Sequence, residues 1–262
     1  RAGVSTTTTS LDALDASALE PPLVFDSTDS LIARGRLRSP DTESAATEHL
    51  QLLRCKLSST CALFSPQLND VSVDAFVVNP VDDSLLLADR DAGHLLKVSR
   101  DGAIVASAEV PIPPEPVLRL HGGLLWLNSS TAPAISVFRY EDDAFGRQLD
   151  EILLLPTTEV SLEEARVHDF IWSGYAWWVN LRSPANDSGE LHRFDEEWNY
   201  LDTIALASAE GPLQLVTWGQ KTLVNNPRTP AIERYNAAGD REAPFASSQL
   251  RALVGDTQQR SS

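Results

Sequence analysis

Four polar residues close four short apolar runs: Asp89 after LLLA, Asn128 after LLWL, Asn180 after AWWV and Asn225 after KTLV. Oxygen donors that recur at one position suit a hard cation such as Ca2+, provided the fold brings them together. One carboxylate among three amides makes a low-charge site, so this metal expectation carries little weight. The bland reading of the same residues is that Asx side chains accept hydrogen bonds from the backbone ahead of them and start turns. The histidines are His49, His94, His121, His168 and His192, with no HExxH and no i, i+4 pair among them. His121 and His168 flank the first strands of neighbouring segments and are the pair with a chance of meeting. A surface or hydrogen-bonded structural role is the main expectation for both. There is no G-x-S-x-G elbow, no glycine-rich phosphate loop and no dinucleotide fingerprint. The acidic pairs Asp142-Asp143, Glu163-Glu164 and Glu196-Glu197 fall in turn-like segments, where solvation explains them. No catalytic residues are assigned, and the expectation is that the chain is not an enzyme.

Trp172 and Trp218 each precede a glycine-bearing turn, and Trp198 sits in the acidic turn DEEWN. These three are the candidates for an interaction surface, since aromatic anchors dominate protein interfaces. Trp126, Trp177 and Trp178 fall inside apolar runs and read as core. Cys55 and Cys61 are the only cysteines. Two thiolates cannot close a structural zinc site. A disulfide between them requires the chain to turn through residues 56–60, since along a helix their separation of about 9 Å is too great. Two unrelated buried thiols are the alternative. A bridge implies an oxidising compartment.

The elements that would position these residues are strands. From residue 73 onward, short β-like runs alternate with turns, and four segments align, beginning at Asp74, Pro116, His168 and Pro212. Each has a second run ending at the Asp/Asn position, then an aliphatic residue (Leu95, Ile135, Leu191, Ile232). Three residues on comes a bulkier apolar residue (Val98, Phe138, Phe194, Tyr235), followed by turn residues. The Asp/Asn positions lie 39, 52 and 45 residues apart, within the range of propeller blades. Apolar side chains on both faces of these runs demand sheets covered on both sides, which stacked blades supply. The expected fold is therefore an all-β propeller of about five four-stranded blades, with a short helix inserted near 41–54. That helix is read from N-cap candidates at Ser39 or Asp41 and an apolar stripe of Ala46, Leu50 and Leu53. The propeller is expected over 21–254, with flexible tails at 1–20 and 255–262. Residues 21–37 look like the back half of a further copy that pairs with strands near 241–254 to close the ring.

The segment LLLADRDAGHLLKVSRDGAIV resembles an NHL-type propeller repeat: a strand, Ala-Asp, a short loop, a second strand and a glycine turn. The wider group includes gluconolactonase-like propellers. That resemblance implies a divalent ion at the propeller centre held by acidic and Asn side chains. Asp89, Asn128, Asn180 and Asn225 lack the Asn-Gly or Asp-Gly context such ligands have.

Acidic residues number 37 against 21 basic ones, a net charge of −16. Such a field repels phosphate backbones, so nucleic acid is not an expected partner. No apolar run approaches the length of a membrane helix. The first residue is not Met, and the chain contains no Met, which reads as an excised or processed piece. Together these lead to an expectation of a non-catalytic scaffold outside the cytoplasm, periplasmic or extracellular/lumenal, that binds a protein partner, membrane-embedded or otherwise. Cofactors are expected to be none, with Ca2+ as the exception. The alternatives are a Ca-dependent gluconolactonase-like hydrolase and a sensor of a small ligand in a Trp-lined centre.

Overall fold

The computed structural model describes residues 16–25, 30–37, 51–56, 61–68, 71–129, 132–154, 165–182, 189–204, 206, 213–226 and 231–246. Their strands form five four-stranded antiparallel sheets, each a simple meander in chain order, the blades of a β-propeller. The first sheet contains β1 (Ala16–Phe25), β2 (Ser30–Leu37), β3 (Gln51–Lys56) and β4 (Cys61–Leu63). The second has β5 (Ala75–Val78), β6 (Leu85–Asp89), β7 (His94–Val98) and β8 (Ile104–Glu109). The third has β9 (Leu118–His121), β10 (Leu124–Asn128), β11 (Ala134–Phe138) and β12 (Gln148–Leu153). The fourth has β13 (Arg166–Trp172), β14 (Trp177–Arg182), β15 (Gly189–Phe194) and β16 (Tyr200–Ile204). The fifth has β17 (Gln214–Trp218), β18 (Lys221–Asn225), β19 (Ala231–Tyr235) and β20 (Arg241–Ala246). Two compact units divide the chain: residues 1–110 with 251–262, and residues 111–250.

Within each unit, adjacent sheets cover one another's apolar faces. In the first unit, Ile32 and Leu52 of the first sheet share a core with Phe76, Leu85, Leu87 and Val98 of the second. In the second unit, Trp126, Ile135 and Val137 of the third sheet pack on Phe170, Trp177 and Phe194 of the fourth. The fourth sheet's other face, with Trp178 and Leu191, packs on Leu215, Val224 and Tyr235 of the fifth. The second strands β6, β10 and β14 are accordingly buried on both faces, whereas β18 is buried only at alternate residues and the outer strand Gln148–Leu153 is almost wholly exposed. The hairpin between β9 and β10 needs its two glycines: Gly122 and Gly123 both have positive φ, 60° and 71°, the conformation of a two-residue turn that matches strand twist.

A polar strap ties the inner strands of the second unit. Asp169 on β13 accepts from Arg119 of β9 at 2.6 Å through one oxygen, and from the Leu215 amide of β17 at 2.7 Å through the other. Arg119 also donates through Nε to the Phe170 carbonyl at 2.9 Å. The buried carboxylate is thus fully bonded, which is the condition for tolerating it.

Three expectations are corrected here. The C-terminal part of the proposed helix is strand β3; residues 38–50 lie outside the described residues. Leu52, Leu53 and Cys55 are all buried, so both faces of this segment are covered, and sheet pairing overrides the helical spacing read from Leu50 and Leu53. β1 begins at Ala16, inside the segment expected as a tail, while 1–15 and 247–262 lie outside the described residues. Finally, β1 and β2 pair with β3 and β4 in a complete sheet of their own, and Arg241–Ala246 pairs with β19, so the first copy needs no C-terminal strand. Cys55 and Cys61 are bonded to each other, directly opposite across the β3–β4 pair with Cα atoms 4.0 Å apart.

Candidate active site

The repeat columns locate the Asx residues in the sheets. Ile135 faces Asn128 and Leu191 faces Asn180, but Leu95 faces Ala88, and Asp89 instead faces His94. Asp89 is therefore one residue out of the column, and a one-residue offset turns a side chain to the other face of its strand. Its Oδ1 accepts from the Ala92 amide and starts a turn. Asn180 donates to the Glu190 carbonyl, and Asn225 donates to Gln214 Oε1. Asn128 accepts from the Val117 amide at 2.8 Å and donates to the carbonyls of Glu115 and Val167 at 3.0 Å each. Asp89 and Asn128 are spent on their own surroundings, whereas Asn180 Oδ1 is buried without a hydrogen-bond partner. One carboxylate among three amides, with Asp89 out of the column, does not make a donor set for a central Ca2+, and no step of chemistry is routed through one. Among the described residues no group of three His, Cys, Asp or Glu is placed to hold a metal.

The bonds of Asn128 point to the chemistry that the pattern of residues did not disclose. Its amide fixes the segments that carry Glu115 and His168, and all three residues line a cleft of about 440 Å3 together with Arg166 and Arg182. His168 occupies a β-bulge. Val167 pairs with Leu181 and Asp169 with Asn180, so β13 holds one extra residue, and that residue is His168. Bulges re-aim side chains and occur beside active sites. Here the bulge frees His168 from the ladder, and its Nδ1 lies 3.2 Å from Glu115 Oε2. The imidazole is mostly enclosed, at 17% exposure, while the carboxylate is open at 75%. A carboxylate on Nδ1 selects the tautomer that leaves Nε2 as a proton acceptor. Arg166 and Arg182, direct cross-strand partners, add positive charge.

His121 does not meet His168. It ends β9, with its ring 5.0 Å from those of Trp172 and Trp177, four residues or about 13 Å along β13 from His168. Burial there pushes the His121 imidazole below its usual range, with Glu196 pulling the other way. Trp172 and Trp198 also belong to this aromatic packing: Trp198 stacks on Trp177 at 4.6 Å, and Trp172 lies 5.4 Å from the same ring. Of the three proposed interaction tryptophans, only Trp218 is exposed, at 57%. No tryptophan lines this cleft. Glu115 escaped sequence reasoning because it lies 53 positions from His168. The available signal was its place in the proline-rich connection PIPPEP, immediately before an inner strand.

The fold and this cleft define a β-propeller with a cleft, lined by both charged and apolar residues, at the start of its inner strand β13. Solved structures similar to the chain are propeller proteins as well. A streptogramin B lyase matches with a TM-score of 0.61 at 12% identity, over 88% of this chain and 70% of that one. Virginiamycin B lyase from Staphylococcus aureus matches with a TM-score of 0.56 at 12% identity, covering 86% and 68%. The periplasmic gluconolactonase PpgL of Pseudomonas aeruginosa matches with a TM-score of 0.55 at 14% identity, covering 85% and 68%. These likenesses bear out the NHL-like and gluconolactonase-like resemblance in fold. They also correct the expectation of a non-catalytic scaffold, because these three matching structures are two lyases and a gluconolactonase. No known protein family's sequence profile matches the chain. No curated protein matches it in sequence.

Proposed function

We propose that the chain is an enzyme that opens a small cyclic ester, with His168 as general base and Glu115 orienting it. The observation that carries this reading is the 3.2 Å contact between His168 Nδ1 and Glu115 Oε2 inside the cleft. Nε2 of His168 takes a proton from water, and the water oxygen bonds to the ester carbonyl carbon. The ring C–O bond then breaks, and its oxygen takes the proton back from His168 to give a hydroxy acid. General-base assistance of this kind contributes roughly 100- to 10,000-fold. The Glu115 carboxylate stabilises the imidazolium that forms between the two transfers. The architecture shared with a gluconolactonase supports the lactone class. The likeness to lyases makes elimination the second reading, in which the same base removes a carbon-bound proton.

Ring opening of glucono-δ-lactone and a panel of γ- and δ-lactones, followed by proton release in weak buffer, tests the proposal. Turnover should fall at least 100-fold in His168→Ala and by less in Glu115→Gln. Incorporation of 18O from labelled water marks hydrolysis; its absence alongside ring opening marks elimination. A protein inert on the whole panel, or one as active in His168→Ala as in wild type, would refute it.

We also place the protein outside the cytoplasm, in a periplasmic or extracellular/lumenal compartment. The Cys55–Cys61 disulfide supports this, since such bonds persist in oxidising compartments. Among the described residues no helix is long and apolar enough to cross a membrane.

A further inference from the structure

We infer that the cleft takes an aliphatic lactone, a ring with an alkyl substituent, in preference to a polyhydroxylated sugar lactone. This rests on the reading of the cleft as an active site and names the substrate class for it.

Most of the surface that the cleft presents is apolar. Its lining includes Pro113 and Pro114, consecutive residues with neither a polar side chain nor a backbone N–H. The polar groups around them are occupied. The Asn128 side chain accepts from the Val117 amide at 2.8 Å, and its Nδ2 donates to the carbonyls of Glu115 and Val167 at 3.0 Å each. Ser129 and Arg182 are engaged already. The Glu115 carboxylate faces His168 Nδ1 at 3.2 Å. Left for a ligand are Nε2 of His168, which takes the proton of the attacking water, and the N–H groups of Arg166 beyond the one given to the Ala165 carbonyl at 2.7 Å.

That inventory offers donors and few acceptors. The two oxygens of an ester only accept, and Arg166 can meet them. A hydroxyl also donates, and each one taken out of water needs an acceptor. A sugar lactone brings several hydroxyls to a lining whose one carboxylate is held by His168. An alkyl chain brings none, and every methylene laid against the prolines leaves water at a gain. The volume of about 440 Å3 is that of a small-molecule pocket, which leaves room for such a substituent beside the ring.

Lactams keep the ring and carbonyl of a lactone and resist opening, so calorimetric titration with them tests the inference without turnover. The probes are δ-hexalactam, δ-octalactam and δ-decalactam, whose alkyl substituents lengthen in turn, and gluconolactam, which carries hydroxyls on a ring of the same size. Affinity should rise about two- to fourfold for each added methylene until the cleft is full. Gluconolactam should bind about tenfold or more weakly than δ-octalactam. The His168 ring resonances at fixed pH should shift as δ-octalactam is added, which places the ligand in this cleft. Pro114→Trp sets a bulky ring in the lining and should weaken δ-octalactam binding about fivefold or more. Near-UV circular dichroism checks that this variant is folded; should it not fold, the His168 resonances of the wild type decide the location. Gluconolactam binding as tightly as δ-octalactam, affinity flat along the alkyl series, or His168 resonances unmoved at saturation overturns the inference. Alkyl-lactam binding in the cleft of a protein inert on every lactone would refute the esterase chemistry and leave the apolar preference standing. Faster turnover of glucono-δ-lactone than of δ-decalactone would do the reverse.

Discussion

Strand β13 begins in one environment and ends in another. At its start, Arg166 faces Arg182 across the ladder, His168 bulges out of register and the side chains line a cleft. At its end, Trp172 joins Trp177, Trp126, Trp198 and His121 in a set of rings with centroids 4.6–5.7 Å apart. The first end spends stability on an interrupted ladder. The second recovers it by burying aromatic surface, whose paired rings contribute beyond area alone. The comparison teaches a division of labour within seven residues of one strand: one end anchors the fold, and the anchored strand presents His168 to the cleft at the other.

The largest expected effect lies at the aromatic end. Trp177 is 1% exposed and touches four other aromatic rings besides His121. Trp177→Ala should cost roughly 3–5 kcal/mol, read from urea denaturation. A loss below about 1 kcal/mol would break the proposed division.

Next comes acid. His192 is fully buried, with Nδ1 2.9 Å from Thr203 Oγ1 and Nε2 3.1 Å from Glu190 Oε2. Burial holds its imidazole down to about 4, from an ordinary 6.5. As pH falls, the unfolded chain takes up this proton before the folded one. The stability present above the unfolded pKa is therefore lost between pH 6.5 and about 4, by roughly 3 kcal/mol. Denaturation at pH 7, 5.5 and 4.5 should show that decline in wild type and a shallower one in His192→Gln. Equal slopes in the two proteins would assign acid sensitivity elsewhere.

A smaller effect is expected at Asn128, which joins structure to site. Asn128→Ala leaves the Glu115 and Val167 carbonyls and the Val117 amide without this partner, a cost of about 1–3 kcal/mol. It should also move the His168 ring resonances in an NMR spectrum at fixed pH, since both segments of the dyad lose their tie. Loss of stability with those resonances unmoved would make Asn128 a fold residue only. The smallest stability effect is that of His168→Ala, within about 0.5 kcal/mol of wild type, because the bulge already takes this residue out of the ladder. A large destabilisation there would mean that the cleft end also carries the fold.

The architecture was legible to an unusual depth. Val98, Phe138, Phe194 and Tyr235 were read as one repeated position, and they face Leu85, Leu125, Trp177 and Thr222 at matching places in four consecutive sheets, each nearly or fully buried. The Asx column failed at Asp89, because the preceding run is one residue longer before its pairing point and strings of letters do not carry register. The helix failed because Leu50 and Leu53 fit a helical stripe, while β2 and β4, the strands that pair with β3, lie outside the stretch from which that stripe was read. The candidate site was the least legible: His168 was seen, but its bulge and its acid were not.

Alternating apolar runs, turn glycines and Asx residues are local properties, so the residues alone determined that this chain makes repeated meanders needing cover on both faces. Which side chains meet depends on register and on contacts between segments tens of residues apart. Tertiary structure alone therefore decided that Glu115 reaches His168, that Arg166 faces Arg182, and that Asp169 ties Arg119 to Leu215. A single bulged residue in β13 takes His168 out of the ladder and into the cleft, and that difference of one position becomes visible only once the strands are paired.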